Sequence, residues 1–282
     1  MILEAVTVCV NYGDFLAWTL PANKHVFGYN KWGQSNWVIV TDTTDTHTKR
    51  VCDYHNVRCI QTDVFYETGQ TFNKANGINA GLDVLGKRGW VLHLDADIYL
   101  PPEVQGIFSK LELDPEAIYG FDRFNCQSFD EFAHFLTLPR LSHENWIFTH
   151  TNLFELGTRV VAYKGDGYIP IGFGQLWNPS KSKIKKYPNQ HDTAARTDMQ
   201  FAKQWPREKR RFIPDFIGIH LESEIPAKMG ANWNGRTTIP FGPEKFVEEE
   251  IERRMQGQVI EDKVNQRIKW HLKNGKIIDD SY

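Results

Sequence analysis

The first hundred residues alternate between two hydrophobic periods. Residues 6–10 (VTVCV), 36–41 (NWVIVT), 57–62 (VRCIQT) and 89–94 (GWVLHL) are short apolar, β-branched runs bounded by polar turns, and they read as buried strands. Between them, residues 15–24, 44–55 and 73–85 have helical spacing. In the last of these Ile78, Leu82 and Leu85 share one face. Strand and helix alternating with short links predict an α/β fold with a mostly parallel sheet and helices on both faces. Sheets of that kind bind ligands beyond the carboxyl ends of their strands.

The second half is less regular. Residues 118–124, 159–163 and 211–220 read as strands. Residues 192–204 read as a helix that Pro206 ends. After Gly242 and Pro243 a polar helix is expected over 244–256, followed by a charged segment. The organisation this predicts is one domain over residues 1–242 and a C-terminal helical extension over 243–282. There is no internal repeat and no low-complexity tract.

Composition narrows the class. A hydrophobic fraction of 41% and a charged fraction of 24% exclude a disordered tail and a membrane bundle. No apolar run reaches 18 residues, and the apolar start MILEAVTVCV lacks the basic flank of a signal peptide. Cys9, Cys52, Cys59 and Cys126 show no metal or redox spacing and are expected to be reduced packing residues, so a cytoplasmic protein without a membrane partner is expected. The net charge of -2 advertises no nucleic-acid partner. Two local clusters run against it: Lys181, Lys183, Lys185 and Lys186, and Arg207, Lys209, Arg210 and Arg211.

The sharpest chemical signal is LDADIYLPP at 94–102, where a buried strand ends in two carboxylates, Asp95 and Asp97. Two carboxylates so close repel unless a cation bridges them. Mg²⁺ or Mn²⁺ takes carboxylate oxygens and keeps room for substrate phosphates. This segment resembles the DxD motif of the GT-A class of nucleotide-sugar-dependent glycosyltransferases. Three other stretches agree. VTVCVNYGDFL (6–16) is similar to the opening strand and loop of such enzymes, which implies Val10, Asn11, Tyr12 and Asp14 beside the base or ribose. VTDTTD (40–45) supplies Asp42 as the acidic residue near the base. FNKANGINAGL (72–82) resembles the segment approaching ribose and pyrophosphate, implying roles for Asn73, Lys74 and Asn76. The resemblance covers residues 5–105 well and 160–222 loosely, and implies a GT-A, Rossmann-like mixed sheet.

It also implies roles downstream. His220, at the end of IGIHLE, is expected to complete a metal site with Asp95 and Asp97, with Glu222 as a weaker alternative. Asp198 in RTDMQFAKQW matches the helix whose carboxylate deprotonates the acceptor hydroxyl, although the usual Glu-Asp pair reads Thr197-Asp198 here. Asp192 and Asp166 are rivals. Residues 165–177 form a glycine-rich aromatic loop, with Tyr168, Phe173 and Trp177 available to pack on a sugar or base. Asn232, Trp233 and Arg236 are expected to cover the donor diphosphate.

The function so implied is transfer of a sugar from a nucleotide sugar, a UDP-sugar by preference, to an acceptor hydroxyl with Mn²⁺ or Mg²⁺. The acceptor is a hydroxymethylpyrimidine in DNA, as in phage base glycosyltransferases, or a soluble glycan or protein. A nucleotidyltransferase and a catalytically silent nucleotide-sugar-binding module are the alternatives. The single glycine of VNYGDF counts against the nucleotidyltransferase.

Overall fold

The computed structural model describes residues 3–28, 35–67, 69, 71–101, 104–138, 154–157, 167–171, 173–189, 194, 196–222, 241–242, 270–273 and 276–279. The elements in chain order are β1 (Leu3–Val8), α1 (Gly13–Phe27), β2 (Trp37–Thr41), α2 (Thr46–Tyr54), β3 (Arg58–Gln61), α3 (Lys74–Val84) and β4 (Trp90–Leu94). They continue as β5 (Ile98–Tyr99), α4 (Val104–Lys110), β6 (Ile118–Cys126), α5 (Phe129–Thr137), β7 (Glu155–Leu156), β8 (Gly174–Trp177), α6 (Thr197–Ala202) and β9 (Arg210–Leu221). A hairpin of β10 (Trp270–Lys273) and β11 (Lys276–Asp279) lies within residues 243–282, where a helical extension is expected. The helix expected over 244–256 and the strand expected over 159–163 fall outside the described residues.

One sheet carries the architecture, in the order β3-β2-β1-β4-β8-β6-β9-β5, with β7 on β6. Strands β1 to β4 are parallel to one another. The central strands β1, β2 and β4 are buried at every position, as a parallel sheet covered on both faces requires. Beyond β4 the sheet becomes mixed: β8 enters antiparallel between β4 and β6, and β9 runs parallel to β6. Helix α3 lies close against β1 and β2 because Gly81 presents no side chain there. A Cβ at that position would stand 2.3 Å from Val6 Cγ2 and 2.8 Å from Val40 Cγ2. Helix α1 is longer than the expected 15–24 and carries Pro21 inside it. All four cysteines are free, with Cys9, Cys52 and Cys126 buried.

Candidate active site

The DxD segment is held by its backbone. Thr7 Oγ1 of β1 donates to the Leu94 carbonyl at 2.6 Å. Thr19 and Asn23 fall one turn apart on α1, so both face the same strand end. Thr19 Oγ1 donates to Ala96 O at 2.7 Å. Asn23 Nδ2 donates to Ile98 O at 2.6 Å, and its Oδ1 accepts from Leu100 N. The Asp95 carbonyl accepts from Ile98 N and the Asp97 carbonyl from Leu221 N of β9. Every carbonyl from 94 to 98 is thus engaged, by β1, α1, β9 or the turn itself. The two aspartates are fixed before any ligand arrives, which is the condition for a precise site.

Their side chains have different surroundings. Asp97 Oδ2 is 3.4 Å from His220 Nε2, and Asp97 Oδ1 is buried with no hydrogen-bond partner among the described residues. His220 Nδ1 is 2.9 Å from Glu222 Oε1. Burial alone pulls His220 down, but the charge and hydrogen bond of Asp97, with Glu222, outweigh it and raise the imidazole to about 9. Asp95 turns the other way, accepting an ion pair from Lys74 Nζ at 2.7 Å. Burial pushes Asp95 up, and the Lys74 charge, with the His93 imidazole nearby, overcomes this, holding it well below the usual carboxylate range. The three expected metal ligands therefore do not converge on one point. Among the described residues no group of three such side chains does.

Lys74 Nζ also stands 3.8 Å from Asp198 Oδ2. Burial lowers the ammonium, but Asp198 and Asp95 outweigh it and keep it above its ordinary value. Asp198 is in the first turn of α6. Burial raises its carboxyl, and the pull of Lys74 and His93 only partly offsets that. Asp95, Lys74 and Asp198 thus form a charged row beside the Asp97–His220 pair.

Other expected residues divide. Asn11 takes a left-handed φ of 58° at the turn after β1, its amide donating to Asp45 Oδ2 at 2.7 Å. Tyr12 stacks on Phe15, ring centroids 4.9 Å apart, and Val10 is partly buried against the core. Asp42 accepts from Thr44 N at 3.0 Å. Asp14 is 3% exposed and accepts the Phe241 amide at 2.5 Å, so this carboxylate secures the chain at 241. Asn73 caps α3, accepting from Asn76 N at 3.0 Å, and donates to Asn189 Oδ1. Asn76 Nδ2 faces Val64 O at 3.4 Å. The aromatic platform read over 165–177 is corrected. Phe173 and Trp177 are core residues, Trp177 fully buried on β8, because this stretch supplies a sheet strand. Asp166, Asp192, Asn232, Trp233 and Arg236 lie outside the described residues.

The basic clusters are partly spent on neighbouring acids. Lys209 pairs with Asp114 and Glu116, and Arg211 with Asp114, all at 3.0 Å. Lys186 meets Asp83 at 2.8 Å, and Lys185 donates to the Pro179 carbonyl.

Two groups escaped the sequence reading. Arg123 of β6 lies over the Phe173 ring, 4.6 Å from its centroid. Burial holds its guanidinium below the ordinary value, partly offset by Asp97, Asp95 and Glu222. His93 is fully buried in β4. Its only signal was a polar residue inside an apolar strand.

No protein-family model matches the chain, and no curated protein matches it. Among solved structures, S. aureus TarS 1-349 in complex with UDP-GlcNAc aligns at a TM-score of 0.51 and 12% identity, covering 92% of this chain and 66% of that one. A mannosyltransferase from Pyrobaculum calidifontis, in complex with GDP-Man and Mn²⁺, aligns at 0.44 and 15%, covering 81% and 58%. Glucosyl-3-phosphoglycerate synthase from Mycobacterium tuberculosis, with Mn²⁺, UDP and phosphoglyceric acid, aligns at 0.44 and 9%, covering 77% and 70%. The chain thus spans about three fifths to two thirds of the first two. The TarS likeness shows the fold, a GT-A sheet flanked by helices.

Proposed function

We propose that this chain is a metal-dependent glycosyltransferase that moves a sugar from a UDP-sugar to an acceptor hydroxyl, with residues 1–242 as its catalytic domain and 243–282 as an appended extension. The observation that carries the reading is the buried, unpartnered Asp97 Oδ1 beside His220, at the carboxyl end of the sheet. A carboxylate oxygen and an imidazole nitrogen suit Mn²⁺ well and Mg²⁺ less well, so Asp97 and His220 would hold the ion beside the donor diphosphate. Once bound, the ion supplies charge neutralisation of the departing diphosphate. Asp95 is the third member of this end of the site and is held toward the ribose side by Lys74. Val10, Asn11, Tyr12 and Asp42 border the base, and Asn76 the ribose. Arg123 adds a second positive charge near the diphosphate, the part also assigned to Arg236.

Asp198 is the proposed base. A hydroxyl becomes a useful nucleophile only as its proton leaves, and a carboxylate raised by burial is a stronger acceptor for that proton. Lys74 keeps it ionisable. The acceptor we propose is a soluble glycan or protein-borne hydroxyl. A DNA acceptor needs free phosphate-binding cations, and Lys186, Lys209 and Arg211 are paired internally.

The test is hydrolysis of UDP-sugars without acceptor in the presence of Mn²⁺. Slow sugar release that Asp97→Ala abolishes, with the fold intact by circular dichroism, is the expected result. Release of pyrophosphate from a nucleoside triphosphate instead would make the chain a nucleotidyltransferase, and UDP binding without either reaction a binding module.

A further inference from the structure

A polar cluster lies under the floor of this site. His93 of β4 and Gln175 of β8 are cross-strand partners in antiparallel register, and both are fully buried. Two polar side chains buried side by side are costly unless their donors and acceptors are matched. Tyr187, on the segment before α6, reaches between them. Its oxygen is 2.5 Å from Gln175 Oε1 and 3.1 Å from His93 Nδ1. Its ring stacks on Phe201 of α6 at 3.7 Å between centroids and 9° between planes.

The protons in this cluster can be assigned. Gln175 Nε2 donates to two carbonyls, Pro170 O and Asp198 O, each at 2.9 Å. That fixes the amide with Oε1 toward Tyr187, and a carbonyl oxygen can only accept. The phenol proton therefore goes to Gln175. The Tyr187 oxygen is left as the acceptor for His93, so the facing nitrogen is Nδ1–H in either charge state of the ring. Nε2 has no hydrogen-bond partner among the described residues and faces Asp95 Oδ1 at 3.5 Å.

Helix α6 needs such support. It has six residues, and its N-cap, Arg196, makes no side-chain capping bond. A helix that short does not hold its place through its own hydrogen bonds. Asp198 is therefore located from outside: by Gln175 on its carbonyl and by Tyr187 on Phe201 one turn further along.

We propose that His93, Tyr187 and Gln175 are positioning residues for sugar transfer. The bonds from His93 Nδ1–H to Tyr187 and from Tyr187 to Gln175, with Gln175 donating to Asp198 O, fix the base relative to the strand that presents Asp95. This rests on the reading of Asp198 as the base. None of the three touches substrate.

Three variants and one spectrum test it. Tyr187→Phe keeps the ring on Phe201 and removes the hydroxyl. His93→Asn offers an N–H near the Nδ1 position, and His93→Gln offers one near Nε2. With Mn²⁺ and UDP-sugar, Tyr187→Phe and His93→Gln are expected to lower kcat by ~10- to 100-fold, the scale of a base displaced by about 1 Å. In Tyr187→Phe the donor KM should stay within about twofold, since the Tyr187 hydroxyl bonds only to Gln175 and His93. His93→Asn should retain most of kcat, which a loss through general destabilisation would not reproduce. Unchanged kcat in Tyr187→Phe, or equal losses in the Asn and Gln variants, overturns the proposal. A nitrogen-15 spectrum of the wild type should show His93 protonated at Nδ1, and a ring protonated at Nε2 alone overturns the proposal regardless of activity. A wild type with the Nδ1 proton and no turnover on any UDP-sugar overturns the glycosyltransferase reading, leaving the bond chain as a structural clamp.

Discussion

Lys74→Met removes the one charge that Asp95 and Asp198 share while keeping the length and much of the volume of the side chain. At an effective dielectric of 20, unit charges at 2.7 Å and 3.8 Å attract by about 6 and about 4 kcal/mol before any desolvation cost. Truncating one partner of a buried pair typically costs about 3–5 kcal/mol. The protein has an escape, because Asp198 can take a proton and restore the net charge of the group. At pH 7 that costs about 4 kcal/mol for a carboxyl of ordinary pKa near 3.9, at about 1.4 kcal/mol per pH unit. The loss is therefore capped at about 4 kcal/mol at pH 7 and at about 1.5 kcal/mol at pH 5. The signs agree with the shifts. Asp95, held low, stabilises the wild type above its unfolded pKa and loses this as pH falls through its folded value. Lys74, held high, stabilises below its unfolded pKa and loses this as pH rises through its folded value. The gap between wild type and variant is thus widest from about pH 7 to pH 10 and narrows toward pH 5. Urea unfolding followed by tryptophan fluorescence at pH 7 and pH 5 measures it. If Asp198 is the base proposed above, the variant should also lose turnover at pH 7, because a protonated carboxyl accepts no proton. A gap of the same size at both pH values, or none at pH 7, would refute the assignment of Lys74 as the shared counter-charge.

Other outcomes follow from the same geometry. Asp198→Asn should leave UDP binding by calorimetry near wild type and reduce turnover by ~100-fold or more, the scale of a positioned base; near-normal turnover moves the base elsewhere. If His220 holds Mn²⁺ as proposed, the ion must displace the proton that His220 carries below about 9, so its apparent affinity should rise by about tenfold per pH unit between pH 6 and pH 8, with proton release seen in buffers of different ionisation enthalpy. A pH-independent affinity would remove His220 from the metal site. Gly81→Ala forces a methyl against Val6 and Val40. The strain of about 1–3 kcal/mol exceeds the gain of about 1 kcal/mol in helix propensity, so the midpoint of thermal unfolding should fall by several degrees. Removing Lys181, Lys183, Lys185 and Lys186 together should leave UDP-sugar hydrolysis unchanged and duplex-DNA binding as weak as in the parent. A salt slope flattened by several units, at about 0.9 per phosphate, would restore the DNA reading.

The parts of the fold legible in the sequence were those with a local signature. Strands β1, β2 and β4 are buried on both faces, so most of their residues are apolar, with Glu4, Thr7, Thr41 and His93 as the buried exceptions. The DxD motif stood out because two aspartates directly follow such a run. What stayed hidden depends on distant pairing. β8 has four residues, GQLW, inside a glycine-rich stretch, and its place between β4 and β6 is set by partners 57 to 86 residues away, from Leu176 with Tyr119 to Trp177 with Val91. Read as a flexible loop, it hid both the burial of Trp177 and the role of Gln175. The helix around Asp198 was expected over 192–204, and among the described residues its helical part is Thr197–Ala202, anchored by side chains from other elements. The shared use of Lys74 by two carboxylates joins residues 74, 95 and 198, and no spacing along the chain encodes that.

The insertion of β8 beside β4 has a consequence for how the protein is made. β4 is apolar apart from His93, and one of its edges pairs with β1 while the other pairs with β8. Until residues 174–177 leave the ribosome, that second edge is open, a ready template for pairing with another chain. At about 5–20 residues per second, the 79 residues from 95 to 173 take roughly 4 to 16 s to synthesise. During that interval the nascent chain carries a finished β3-β2-β1-β4 half-sheet with one sticky side. Conditions that slow elongation across this stretch should lower soluble yield, and a chain truncated between Leu94 and Gly174 should aggregate where the full chain does not.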